Sequence, residues 1–358
     1  MPLPSETNTV ILQNPPLKEV KLEFGQADST FKLITSKLDA SIIKEGELVV
    51  RVLYLSNDPT QRGWIQKGLN PKRMYVKPVL QGDPMKSMGI GEVVYSKSSK
   101  FQEGDILNGS LYWADYAIID ESAVINKINP RKGLPLELYL GPLGGTGLTA
   151  YFGLKDIGKI KEGQTVVISA ASGATGCMAV QLAKHVFKAG KVIGITGSKA
   201  NGDWVKSLGA DIVVNYKDTD FRKQLAKAIG PDFADIYFDG VGGDILSFML
   251  TQMKPFGRVV ACGAIAGYND FTKQFVKTWS EIITNRLTVQ GFIVLDYVDR
   301  FGEGTDVLAN AIAEGKVKID SGVDLRDISK SSTRFQDIPQ VWNTLFTGKG
   351  AGKLVTKL

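Results

Sequence analysis

The sequence predicts an α/β protein, with a doubly wound parallel sheet following a compact β-rich domain. Three observations carry this expectation. Short strand patterns separated by turn residues fill the chain to about residue 142. Beyond that point strand and helix patterns alternate. One strand-to-helix junction in the second part, "SAASGATG" at residues 169–176, is built almost wholly of small residues.

The elements follow in order. "EGELVVRVLYLS" alternates and then runs apolar, as a half-buried strand does. "MGIGEVVYS" and "YAIIDESAVINKI" read likewise, set apart by turn signals such as "FQEGDILNG". Together they predict a β-barrel-like domain over residues 1–142. From "LGGTGLTAYFGLKDIG" the character changes. "QTVVISA" is a strand, and "GCMAVQLAKHVFKAG" is a helix with Met178, Leu182 and Val186 on one face. "KVIGIT" is the second strand, followed by a helix ending at Gly209; "DIVVNY" is the third, followed by a helix closed at Gly230. "ADIYFDGVGG", "GRVVACG" and "LTVQGFIV" supply the fourth, fifth and sixth strands. Alternating β and α segments imply parallel strands joined by right-handed crossovers. This second domain spans 143–316. Residues 317–358 read as strand, helix and closing strand, the last returning to the first domain.

Composition narrows the function classes. The 358 residues are 43% hydrophobic and 22% charged, as in a soluble globular protein. No apolar run approaches the roughly 18 residues that cross a bilayer, and the N-terminus lacks a signal-peptide pattern, so a cytoplasmic protein without a membrane partner is expected. The net charge of +6 is carried by scattered lysines rather than a basic helix or groove, so no nucleic-acid partner is expected. The chain has one histidine, His185, inside the helix after the small-residue turn, and two cysteines, Cys177 and Cys262. Catalytic zinc usually needs three ligands from His, Cys and carboxylates, so the expected chemistry is metal-free. Two cysteines also make no disulfide framework.

The turn points to a ligand. Ala170, Gly173 and Gly176 occupy the small positions of a glycine-rich turn that follows a strand and opens a helix. Small residues let backbone approach a pyrophosphate, whose charge the helix N-terminus favours. At the head of a βαβαβ series, this is a dinucleotide site. The second strand then separates the cofactors. An acid there would take the ribose 2′-hydroxyl of NAD, but "GITGSKA" offers Thr196, Ser198 and Lys199 instead. Hydroxyls and an ammonium suit the 2′-phosphate of NADP.

These residues carry a resemblance. The blocks "LYLSNDP", "MGIGEVV", "GLTAYFGL", "SAASGATG", "LGADIVVNYK", "IYFDGVGG", "CGAIAGYN", "GFIV" and "FTGKGAGKLV" run in order along nearly the whole chain. The sequence resembles the zinc-free medium-chain dehydrogenase/reductases, in the branch of prostaglandin/leukotriene reductases and NADP-dependent alkenal double-bond reductases, nearest the fungal members. The resemblance implies a GroES-like domain split around a Rossmann domain, with the nicotinamide in the cleft between them. It implies that Gly173, Ala174, Thr175 and Gly176 lie under the pyrophosphate, and that Tyr216 approaches the 2′-phosphate or its ribose. Cys262, Gly263, Ala264, Ile265 and Tyr268 fall in the loop near the nicotinamide, and Phe292, Ile293 and Val294 offer backbone groups to the carboxamide. Some positions depart from the family pattern. The family's 2′-phosphate lysine falls on Asn201, with Lys199 two residues earlier as a substitute. Its asparagine in the "DNVGG" block is Gly240, and its asparagine near the C-terminus is Gly350. "DPYMR" is Asp58-Pro-Thr-Gln-Arg62, which puts Thr60 at an expected pocket tyrosine, and the tyrosine that supports proton delivery falls on Thr284.

The resemblance implies hydride transfer from NADPH to the β-carbon of an α,β-unsaturated aldehyde or ketone, with a proton added at the α-carbon. The oxygen of such a substrate needs hydrogen-bond donors, and Tyr268, Tyr75 and Thr284 are the candidates. Two alternatives stay open at this stage: a zinc-free NADPH quinone oxidoreductase on the same scaffold, and a non-catalytic NADPH-binding protein. A homodimer is implied by resemblance alone.

Overall fold

The computed structural model describes residues 3–130, 134–319, 322–348 and 350–358. The chain forms two compact units. One takes the residues up to Leu140 with Leu325–Thr347 and Leu354–Leu358; the other takes Gly141–Asp324 with Gly348–Lys353.

In the first unit, β1 (Glu6–Leu12) and β2 (Phe31–Lys37) form an antiparallel pair. Then come β3 (Glu47–Ser56), the short α1 (Gln61–Trp64), β4 (Lys86–Ser96), β5 (Ile106–Tyr112), β6 (Tyr116–Asp120) and β7 (Val124–Lys127). The strand β3 is central: it pairs antiparallel with both β4 and β6. That position explains its apolar run, since Leu48, Val49, Val50, Val52 and Leu55 are all buried.

In the second unit, α2 (Gly145–Phe152) precedes β8 (Thr165–Ile168), α3 (Ala174–Gln181), β9 (Lys191–Thr196), α4 (Lys199–Ser207), β10 (Ile212–Asn215) and α5 (Phe221–Ile229). The series continues through β11 (Ala234–Asp239), α6 (Gly243–Leu250), β12 (Met253–Ala261), α7 (Ser280–Thr284), β13 (Thr288–Gly291) and α8 (Phe301–Ala313). The sheet order is β10-β9-β8-β11-β12-β13, and every pairing is parallel. This is the doubly wound Rossmann arrangement, with its switch point between β8 and β11. The chain then adds β14 (Val323–Asp327), α9 (Arg334–Asn343) and β15 (Lys353–Lys357), completing a sheet of order β14-β15-β3-β4-β5-β7. The GroES-like sheet and the Rossmann sheet are the two folds the sequence predicts. Residues 317–324 and 348–353 cluster with the parallel sheet.

Sequence periodicity gives no sign of α6. Its "GDILSFML" is apolar around the helix, without a polar stripe to mark its period. Both α2 and α3 run on into single π turns, Gly153–Ile157 and Leu182–Val186. His185 sits in the second, with Nε2 3.0 Å from the Leu208 carbonyl oxygen and packed on Gly209, where a Cβ would lie 2.5 Å from that nitrogen. The histidine is a packing residue.

The first unit's core centres on three buried rings. Phe31 lies 5.4 Å from Trp113 and 6.3 Å from Trp342, and the two tryptophans are 6.1 Å apart. Trp342 arrives from α9, so its burial anchors the C-terminal segment to this core; its indole N–H also donates to the Asp58 carbonyl at 3.1 Å. Trp342→Ala removes the ring contacts and leaves a cavity, and should cost about 3–5 kcal/mol. Denaturant unfolding followed by near-UV circular dichroism should show the first unit's transition moved to lower denaturant.

Candidate functional site

The turn after β8 is shaped by backbone. Ala170 has φ +48°, unusual for a residue with a Cβ, and its carbonyl accepts the Gly173 N–H at 2.8 Å. Gly176 packs against the same peptide. A Cβ there would lie 2.8 Å from both the Ala170 carbonyl carbon and the Ala171 Cα, and closer still to the Ala170 oxygen. Only glycine fits. Gly173 is the N-cap of α3, and no side chain caps that end. Ala174, Thr175 and Gly176 therefore present a helix N-terminus to whatever lies before it, the geometry that receives a phosphate. A dinucleotide pyrophosphate fits this cradle.

A buried carboxylate braces the neighbouring strand end. Asp239, 1% exposed, closes β11. Its Oδ1 accepts from the Tyr237 hydroxyl and from the Val241 and Gly242 N–H groups, all at 2.9 Å, and from Ser169 Oγ at 3.3 Å. Burial pushes its pKa up, and these hydrogen bonds pull the other way. The Ser169 hydroxyl in turn accepts the Gly240 N–H at 3.0 Å. The ends of β8 and β11 are thereby tied together at the switch point. No motif in the sequence singles out Asp239; a lone acid ending an apolar strand is the only trace.

The loop after β12 hangs on the same residue. The Asp239 carbonyl accepts the N–H groups of Cys262 at 2.9 Å and Gly263 at 3.0 Å, and the Gly240 carbonyl accepts that of Ile265 at 3.4 Å. The half-buried Tyr268 folds back so that its hydroxyl oxygen accepts the Ala264 N–H at 3.4 Å. Burial raises the Cys262 thiol to about 12, and the Cys177 thiol to about 12 as well, so neither is a nucleophile. Phe292, Ile293 and Val294 follow β13 at this same edge. The Phe292 ring rests on Gly153, where a Cβ would lie 2.9 Å from it.

Around the end of β9 the side chains have distinct partners. Thr196 is buried, with Oγ1 3.4 Å from the Ser198 carbonyl. Ser198 caps α4 by accepting the Asn201 N–H at 3.2 Å. Lys199 pairs with Asp203 one turn on, Nζ to Oδ2 2.6 Å. The Asn201 amide donates to Ser172 Oγ at 3.2 Å and to the Gly350 carbonyl at 3.3 Å. Gly352 donates to the Ser172 carbonyl at 2.8 Å. Asn201 thus ties the C-terminal loop at Gly350 to the turn after β8. Tyr216, 43% exposed, lies over Gly197, where a Cβ would be 2.8 Å from its ring.

Thr284 lies apart from these residues. Strands of a parallel sheet present their C-terminal ends to one edge. Thr284 precedes β13 by four residues, while Cys262 follows β12, whose register with β13 runs from Arg258↔Thr288 to Ala261↔Gly291. Thr284 therefore lies at the N-terminal edge, opposite the phosphate turn. It is exposed, and its carbonyl accepts from Arg286 Nη1 at 2.5 Å. The structure does not bring its hydroxyl together with the loop after β12.

In the first unit, the third hydroxyl candidate, Tyr75, is 45% exposed. Its oxygen accepts the Trp64 indole N–H at 3.1 Å and is hydrogen-bonded to Thr60 Oγ1. The segment carrying Thr60 is held rigidly. Gln61 Oε1 accepts the Asp58 N–H at 2.7 Å while its Nε2 donates to the Lys86 carbonyl at 2.8 Å, and Asn57 donates to Thr356 Oγ1 at 2.9 Å. Among the described residues, no three His, Cys, Asp or Glu side chains gather as a metal site.

Comparison with known proteins agrees with this geometry. Residues 23–127 match the family model "N-terminal domain of oxidoreductase", and residues 174–310 match "Zinc-binding dehydrogenase". A Saccharomyces cerevisiae protein described as the uncharacterized membrane protein YML131W is 36% identical over 359 residues, with 97% of each chain covered. Among the described residues here, no helix is long and apolar enough to cross a membrane. The NADP-dependent 2-alkenal reductase of Nicotiana tabacum is 35% identical, with 92% of each chain covered. The crystal structure of CurA from Vibrio vulnificus in complex with NADPH superposes with a TM-score of 0.82 at 29% identity, covering 98% of each chain. The chain belongs to the medium-chain dehydrogenase/reductase family, in the branch that holds the NADP-dependent alkenal reductases. It is an oxidoreductase with NADP as its cofactor.

Gly176→Ala tests the cradle. The added methyl must displace the Ala170 peptide, so the Kd for NADPH, read by the cofactor's fluorescence, should rise about tenfold or more, with the far-UV spectrum unchanged.

Proposed function

We propose that the protein reduces the carbon–carbon double bond of α,β-unsaturated aldehydes and ketones with NADPH, without a metal. The bound cofactor supplies the hydride. The observation that carries the reading is the Tyr268 hydroxyl on the loop after β12, held from the end of β11; within the first unit, Tyr75 beside Thr60 and Trp64 offers another hydroxyl. Each oxygen accepts an N–H, from Ala264 or from Trp64, and a phenol is the kind of group that donates a proton to a carbonyl oxygen. Donors aimed at a carbonyl oxygen stabilise the charge that collects there when the β-carbon accepts a hydride. Thr60 stands where the family has a tyrosine, and its hydroxyl orients Tyr75. The name of the tobacco relative supports the same reading.

Two further features belong to this proposal. The strand β13 is an edge, and it lies near exposed apolar side chains: Trp279 (65%), Ile283 (71%) and Val289 (40%). Edge strands with apolar flanks pair with a second copy unless protected, and this supports a homodimer. The two free cysteines support a reducing, cytoplasmic compartment.

NADPH oxidation should be followed with 2-alkenals, enones and quinones in parallel. Turnover of the first two is expected; quinone turnover alone would overturn the assignment, and cofactor binding with no turnover would mark a non-catalytic protein. Tyr75→Phe should lower kcat about tenfold to hundredfold with little change in Kd for NADPH. Light scattering should give twice the 38.9 kDa chain mass, and Ile283→Glu should return it to one chain.

A further inference from the structure

The preference for NADP over NAD needs a cation at the adenosine ribose, and the family's usual lysine is missing here. Asn201, which replaces it, is neutral, and its amide is committed to Ser172 and Gly350. Lys199 is the obvious substitute in the sequence. In the structure its ammonium pairs with Asp203, and the two side chains are 90% and 58% exposed. A phosphate brought to Lys199 would meet the Asp203 carboxylate as well, and much of the attraction would be cancelled.

A second lysine is better placed. Lys217 directly follows Tyr216, and its Nζ lies 5.8 Å from the Tyr216 ring centroid. Gly348, with φ +69°, turns the C-terminal segment past both residues. A Cβ on Gly348 would be 3.4 Å from the Tyr216 hydroxyl and 3.9 Å from Lys217 Nζ, so the phenol and the ammonium converge on one point. The Tyr216 ring in turn lies on Gly197, the residue that follows β9, where this fold places the ribose of the adenosine. No carboxylate among the described residues pairs with Lys217. Its sequence neighbour Asp218 is held instead by the side-chain amides of Asn215 at 2.9 Å and Gln224 at 3.4 Å.

We infer that Lys217, together with the Tyr216 hydroxyl, recognises the 2′-phosphate and sets the choice of NADP, while Lys199 contributes little. An ammonium without a carboxylate partner keeps its full attraction for a phosphate dianion, and the phenol adds a hydrogen bond that the 2′-hydroxyl of NAD would use less well. The inference rests on the NADP site described above.

Isothermal titration of the full-length protein with NADP+ and NAD+ tests it by binding alone. Lys217→Gln should weaken NADP+ about tenfold or more and leave NAD+ unchanged, with a shallower salt dependence. Lys217→Arg should keep most of the preference, which separates lost charge from lost folding. Lys199→Gln should change either affinity by less than about threefold. Loss of the preference in Lys199→Gln with its retention in Lys217→Gln would overturn the inference. Equal affinity of the unmodified protein for NADP+ and NAD+ would instead remove the 2′-phosphate site itself, and this assignment with it.

Discussion

A methyl group on residue 176 would run into the Ala170 peptide, and the phosphate end of the second unit is arranged around that one missing atom. Because Gly176 has none, α3 can start directly against the carbonyl that ends the β8 turn. Ala170 takes a left-handed conformation to point that carbonyl back at Gly173. Strain at one residue is acceptable when the surrounding contacts fix it, and here those contacts come from three directions. Ala171 donates to Ile195 on β9, Ser169 links to β11, and Gly352 donates to Ser172 from the C-terminal segment.

Asp239 extends the same order to the loop after β12. A carboxylate this deeply buried is destabilising unless its oxygens are satisfied, and four donors converge on one of them. Its backbone carbonyl then holds Cys262 and Gly263, so the loop bearing Tyr268 is positioned from the end of β11. The turn after β8 and the loop bearing Tyr268 are thus parts of one hydrogen-bonded framework.

Much of this was legible in the sequence because it depends on local rules. The parallel sheet followed from alternating periods, and the turn from small residues between a strand and a helix. The helix α6 was not legible, since its apolar side chains spread around the helix and mark no clear period. The place of Thr284 was not legible either; which edge of the sheet a residue occupies depends on strand direction and register, and neither is written locally. The partners of Lys199 and Asn201 were hidden for a related reason. Whether a lysine is matched by a carboxylate one turn along, or an amide is tied to a loop 149 residues away, is decided by packing. Lys217 gave no signal beside its motif tyrosine, and only the crossing of Gly348 sets it apart.

The central claim concerns which bond is reduced. NADPH deuterated at the nicotinamide C4, prepared in both stereochemical forms and incubated with a 2-alkenal, tests it most directly when the product is analysed by mass spectrometry and NMR. With one of the two forms, deuterium should appear on the β-carbon of a saturated aldehyde, with a solvent-derived proton on the α-carbon. Deuterium on the carbonyl carbon of an allylic alcohol would contradict the account.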